Sequence, residues 1–375
     1  QTEFTKSKYI SMKLLSNAKK KLLELRYPTK YSQKLFSPLA SLKQNAAEEA
    51  NGIVMGLGTK PLNRNLYVNN DNNSLNFLSS STSTSFDNNK RTGSGRKKSN
   101  NNRGNPPNYV WPIDEKELNR LKTQHYCFKE MFDKNYSAPI QKLLEKGGKG
   151  LDIGCGPGLF VLEMASEFKN SEFIGVDFLE NFPKQTLPYN VGFVRANVLD
   201  GLSFPDNKFD YVHICCMNYS FTENQWIDIV IPELVRVTKP GGWIEYYDMG
   251  PSVTKAGPIF MRLHEALDNL LIERGLNTQF VHKIKSTLQR YPNLQNMEGV
   301  LKKQPIGNWG GKLGELNLQN TLEFFDVIKD LMINALGINE PEYMRLVKEL
   351  AKEFDENKSR IHFVRVFAQK FERIN

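Results

Sequence analysis

From about residue 109 onward, apolar positions follow two alternating rhythms. Residues 114–147 read as mostly helical, in two pieces broken near Ser137-Ala138-Pro139. Asp114 is the expected N-cap, with Glu117 three residues on as in a capping box. A short apolar strand at 150–153 leads into a glycine turn. A helix over 159–168 follows, with Val161, Met164, Ala165 and Phe168 on one face. Further strands are predicted at 172–177, 191–195, 209–216 and 243–248. A helical stretch covers 223–237, where Pro232 predicts a kink or a restart. Near the end, 342–356 reads as an amphipathic helix and 360–368 as a strand with imperfect alternation. Strands alternating with helices imply a mostly parallel sheet with helices on both faces. In such sheets the ligand sits beyond the carboxyl ends of the strands.

Before residue 109 the texture differs. Residues 9–26 carry Ile10, Leu14, Leu15, Ala18, Leu22 and Leu25 at helical spacing beside three lysines, the pattern of a weak or surface-binding helix. From Asn69 to Asn108, 12 of 40 residues are Asn and 8 are Ser, too polar to offset the backbone entropy of folding. This stretch is expected to be disordered. It holds Lys90-Arg91 and Arg96-Lys97-Lys98, which fit either a solvated basic linker or a nuclear-import or nucleic-acid patch. The boundary falls near Pro106-Pro107, giving a basic region over 1–108 and an ordered domain over 109–375.

Composition sharpens this division. The 375 residues carry a net charge of +9, which points to an acidic partner. Residues 1–108 hold 18 Lys/Arg against 6 Asp/Glu, a net of +12, so the remainder is slightly acidic at −3. Nucleic acid is therefore not an expected partner of the ordered domain. No apolar run reaches the ~18–20 residues of a membrane span. Cys127, Cys155, Cys215 and Cys216 show no CxxC pairing, so neither a disulfide scaffold nor a metal site is expected. A reducing compartment, cytoplasmic or nuclear, fits this usage.

The chemistry concentrates at strand ends. The first strand runs into Asp152-Ile153-Gly154-Cys155-Gly156-Pro157-Gly158, where glycines let the backbone approach a ligand and the next helix offers free N–H donors. Asp177 closes the second strand, placed to accept hydrogen bonds from ribose hydroxyls. Asn197 follows the third, where its amide can pair with an adenine edge. Each feature alone is commonly a turn or cap; their order at βα spacing is more specific.

The segments GLDIGCGPG (150–158), FIGVD (173–177), FVRANV (193–198), FPDNKFDYVH (204–213) and ELVRVTKPGGWIE (233–245) closely resemble class I S-adenosylmethionine-dependent methyltransferases. The flanking LNRLKTQHYCFKE (118–130) and PIGNWGGKLGEL (305–316) more loosely resemble a fungal subgroup that includes the velvet-associated regulators of secondary metabolism. The resemblance implies a Rossmann-like fold with a seven-stranded, mostly parallel sheet whose last strands form an antiparallel hairpin. The cofactor core lies at about 148–250, and an insert at about 255–312 covers the substrate. It further implies that Gly154, Cys155 and Gly156, within the turn from Asp152 to Gly158, pack against the methionine part of S-adenosyl-L-methionine. Asp177 holds the ribose, Asn197 and the backbone of Val198 meet the adenine, Phe178 either stacks on it or belongs to the core, and Gln124 or Tyr126 reaches the cofactor carboxylate. Family members often carry Asp where Asn197 stands.

Methyl transfer from a sulfonium needs mainly proximity and alignment, worth ~7–11 kcal/mol, and a base only if the acceptor must lose a proton. Candidate bases are His213, Glu245, Tyr246 and Asp248, although a position inside a strand favours a satisfied core histidine at 213. Cys215 and Cys216 read as small sheet residues rather than nucleophiles. Met217 and Tyr219 are expected in the acceptor pocket. The leading expectation is methyl transfer to a small molecule or protein. The alternative is a regulatory methyltransferase-fold protein that acts through a protein partner in the nucleus.

Overall fold

The computed structural model describes residues 67–68, 111–112, 114–183 and 187–371. The expectations for residues 1–108 lie outside the described residues, apart from a two-residue strand, β1 (Tyr67–Val68). Seven longer strands follow: β2 (Lys149–Ile153), β3 (Glu172–Asp177), β4 (Val191–Arg195), β5 (Phe209–Cys215), β6 (Thr238–Thr254), β7 (Leu294–Pro305) and β8 (Arg360–Lys370). They make one sheet ordered β1-β4-β3-β2-β5-β6-β8-β7. The pairings from β1 through β6 are parallel, and β8 runs antiparallel to both β6 and β7. The seven expected strands are thus present, with Tyr67–Val68 extending the β4 edge. The chain order reverses at β2, between β3 and β5, which opens a crevice beyond its carboxyl end.

The first helix, α1 (Glu115–Phe132), is capped by the Asp114 side chain accepting from Glu117 N. The expected capping box is only half realised. Glu117 turns away from the cap to hold Arg120 at 2.6 Å, because both are buried and need a partner. The helix stops at Asp133, which adopts a left-handed backbone, and α2 (Gln141–Glu145) follows the Ser137-Ala138-Pro139 break. The helix after the glycine turn is α3 (Leu159–Glu167). The expected restart is present: an α-helical segment begins at Ile231 with Pro232 in its first turn. The run over 223–237, α4, first widens into a π segment, Trp226–Val230, just before Ile231–Val237. Widening spares the proline ring a clash with the carbonyl four residues back and absorbs its missing N–H.

Beyond β6 lie α5 (Pro258–Ile272) and α6 (Phe280–Leu288), then β7. Between β7 and β8 lie α7 (Gly311–Val327), α8 (Lys329–Leu336) and α9 (Glu340–Asn357). The insert expected at 255–312 therefore contains a sheet strand, and more helix follows it. Pairing with β8 rather than burial fixes β7, since most of its residues are exposed or half-exposed and its alternation is weak. No described helix is long and apolar enough to cross a membrane.

Three apolar cores result. On one face α4 and α6 pack on β2, β5 and β6 around Trp226, Phe280 and Ile214. On the other, α2 and α3 pack around Ile140, Met164 and Phe173. The third joins α1, α5, α7, α8 and α9 to the ends of β5, β6 and β8 through Phe128, Leu263, Phe325, Tyr343 and Phe363. The two segments carrying the looser resemblance meet in it: Cys127 Sγ lies 3.3 Å from Leu316 O, and Lys312 pairs with Glu130 at 2.8 Å.

Candidate active site

A cavity of about 340 Å³ lies beyond the carboxyl ends of β2 to β6, within the range of small-molecule sites. Asp152, Gly154, Cys155, Gly156, Asp177, Phe178, Asn197 and Val198 all line it. Gly158 does not. It occupies the left-handed region at φ +76°, where a Cβ would run into the Phe193 ring. Its part is to shape the entry to α3 rather than to reach the cavity. Gly156, at φ +51°, faces open space: a Cβ there would meet only Leu121 Cδ1, at 3.7 Å. The glycine turn is thus a cradle that a side chain would fill.

Asp177 fastens this cradle. Its Oδ2 accepts from Gly156 N at 2.8 Å and its Oδ1 from Leu179 N at 2.8 Å. One carboxylate therefore joins the turn after β2 to the turn after β3. Burial, aided by the nearby Asp152 charge, pushes the Asp177 carboxyl up to about 6 against the pull of those N–H donors. In the apo protein this raised value makes the ionised form costly. Stability on this account falls as pH rises from the ordinary carboxylate range to about 6, then levels off. Ribose hydroxyls donating to the carboxylate would favour its ionised form. Affinity for S-adenosylhomocysteine should therefore rise several-fold between pH 5 and 7 and then plateau, with proton uptake or release measured calorimetrically in buffers of different ionisation enthalpy. A pH-independent affinity would contradict this.

Asn197 Oδ1 accepts from Leu199 N at 3.1 Å, which begins the short turn Val198–Asp200. An Asp would cap the turn equally, so Asn here preserves the geometry while removing a charge. Gln124 lines the cavity from α1; Tyr126 does not.

The candidate bases separate clearly. Parallel register sets His213 opposite Asp152. His213 Nδ1 lies 2.8 Å from Asp152 Oδ1 and its ring stacks on Phe160 at 3.9 Å, so it is a satisfied, buried histidine at the cavity floor. Glu245 lies outside the cavity, fully buried against Arg365, Tyr211 and the Ser137 and Ala138 N–H groups. Tyr246 is also outside and donates to Asp248 Oδ2 at 3.2 Å. Asp248 lines the cavity, and burial pushes its carboxyl up to about 7 although Asn218 N and Met249 N each donate to it at 2.8 Å. Cys215 and Cys216 also line it, with sulfurs 3.5 Å apart. Burial raises both thiols, which argues against a thiolate nucleophile. Met217 and Tyr219 lie in the cavity as expected.

The roof contributes residues that sequence reasoning missed: Trp111, Arg120 of α1, Phe260 and His264 of α5, and Asn320 and Phe324 of α7. A signal for α1 was available, because the polar residues Glu117, Arg120 and Gln124 recur on one helical face and all three are buried.

Residues 151–242 match the family model described as "Methyltransferase domain". This segment is therefore similar to methyltransferase domains, and the strand order and glycine turn around it are Rossmann-like. Among its relatives is "Methyltransferase str3" of Strobilurus tenacellus, 30% identical over 182 residues, covering 48% of this chain and 57% of that protein. "Secondary metabolism regulator laeA" of Coprinopsis cinerea is 30% identical over 141 residues, covering 36% and 34%. "N-methyltransferase verN" of Clonostachys rogersoniana is 24% identical over 272 residues, covering 70% and 92%. The chain thus spans about half or less of the length of the first two. A solved phosphoethanolamine N-methyltransferase 2 from Haemonchus contortus, bound to S-adenosyl-L-methionine, aligns with a TM-score of 0.39 at 18% identity over 68% of this chain and 57% of that one.

Proposed function

We propose that this chain binds S-adenosyl-L-methionine across the glycine turn and transfers its methyl group to an acceptor held under α1, α5 and α7. The observation that carries this reading is the Asp177 clamp on Gly156 beside an open glycine cradle. Gly154, Cys155 and Gly156 would pack against the methionine part, and Asp177 would take the ribose hydroxyls. Phe178, Asn197 and Val198 would surround the adenine, and Gln124 would reach the carboxylate. Asp152 contributes by fixing His213 beneath the site. The bound cofactor supplies a methyl group already activated by its positively charged sulfur. The chain's own residues exclude water and align the acceptor, the source of most of the rate in a displacement of this kind.

A second reading has an observation of its own: relatives named as secondary metabolism regulators, together with a basic region of +12. In that case the domain would hold cofactor and act through a protein partner in the nucleus. Incubating the chain with methyl-labelled cofactor and a fungal cell extract separates the two. Catalysis predicts label in a discrete acceptor. Cofactor binding with no label in any fraction would favour regulation.

A further inference from the structure

Beyond the ends of β5 and β6 the cavity changes character. Its walls are rings: Phe128, Tyr219, Tyr247, Phe260, Phe324 and Phe325. Trp111 closes over them, edge-on to Phe324 at 5.3 Å and to Tyr219 at 6.1 Å. Such walls gain most from a flat apolar ligand that meets them offset or edge-on.

The charges tell the same story. The charged side chains Arg120, Arg365, His264 and Asp248 that reach this half lie against partners, while the Tyr247 hydroxyl is buried without a hydrogen-bond partner. Arg120 is held by Glu117 at 2.6 Å and reaches Asn320 at 3.5 Å. Arg365 lies 2.8 Å from Glu245, and His264 lies 3.6 Å from Asp268. Asp248 is occupied by Asn218 N, Met249 N and the Tyr246 hydroxyl. A charged acceptor entering here would lose its hydration and find each counter-charge taken. The roof helices are also locked together through Leu263, Leu267, Phe325, Met332 and Tyr343. They cover the apolar half of a cavity that stays partly open to solvent.

We infer that the methyl acceptor is an uncharged, ring-bearing, largely apolar small molecule bound in this half of the cavity. The inference rests on the methyltransferase reading above and names its substrate class. It disfavours phosphorylated amines, carboxylates and lysine or arginine side chains as acceptors.

The test uses the full chain saturated with S-adenosylhomocysteine and pairs of probes that differ in charge. 2-Naphthol should bind at least ~10-fold more tightly than 2-naphthoate, and phosphoethanolamine or a lysine-bearing peptide should bind more weakly still. Phe324→Ala should weaken naphthol binding roughly 5-fold or more while S-adenosylhomocysteine still binds. If that variant fails to fold, Tyr219→Leu makes the same comparison. Equal or tighter binding of any charged probe, an unchanged naphthol affinity in the folded variants, or no naphthol binding to a chain that holds S-adenosylhomocysteine would each overturn the inference. Failure of the methyltransferase reading would look different, as no S-adenosylhomocysteine binding at all.

Discussion

Replacing Asp177 by Ala is expected to weaken S-adenosylhomocysteine binding about 100-fold or more. The wild-type carboxylate receives two backbone N–H bonds at 2.8 Å, from Gly156 and Leu179, and so holds two turns together. Ribose hydroxyls would add further bonds to the same group. Hydrogen bonds to a charged partner are worth about 1.5–3 kcal/mol each, so losing the ribose pair alone removes about 3 kcal/mol. Loosening the Gly156 turn compounds the loss. Asp177→Asn keeps the shape and one acceptor oxygen and should fall between. Titration calorimetry reads all three proteins, and affinity within a few-fold of wild type in Asp177→Ala would remove Asp177 from the site.

Arg365→Ala should be the most damaging change to stability, costing about 3–5 kcal/mol. Arg365 is buried in the middle of β8 with Nε 2.8 Å from Glu245 Oε1, although its N–H points off the line to that oxygen. It also donates to Ser137 Oγ and Asn135 O and lies over the Phe132 and Tyr247 rings. Removing it leaves the fully buried Glu245 without a counter-charge. The midpoint of thermal unfolding should drop by about 10 °C, since each kcal/mol moves a domain of this size by about 2–4 °C. Arg365→Leu combined with Glu245→Leu should be milder than Arg365→Ala, because the uncompensated charge goes too. A double variant as unstable as the sum of its parts would contradict this account of the pair.

Much of the catalytic half was legible in the sequence because each strand there announces its end with a chemical residue. Asp152, Gly154, Gly156, Asp177 and Asn197 all lie where the alternation of strand and helix put them. Gly158 was less readable. Its glycine identity answers to the Phe193 ring, a contact between distant segments. The last third was hardest. β7 is an edge strand with little buried surface, so its residues alternate weakly. β8 has the opposite problem, being paired on both sides and buried on both faces, which blurs the alternation and hides Arg365 in an apolar run. Glu245 and Tyr246 looked like strand-end candidates. β6 in fact runs on to Thr254, which leaves Glu245 mid-strand, in the sheet's own ion pair with Arg365.

The division of charge keeps its meaning beside this structure. The mildly acidic ordered domain holds the glycine turn and Asp177, and the basic excess belongs to residues 1–108.

The central claim is that the cradle at Gly154–Gly156 and Asp177 holds S-adenosyl-L-methionine. The most direct measurement is a calorimetric titration of the full chain with S-adenosylhomocysteine at pH 7.5. The account predicts saturable binding to one site per chain. Absence of binding to folded protein at millimolar ligand would contradict it.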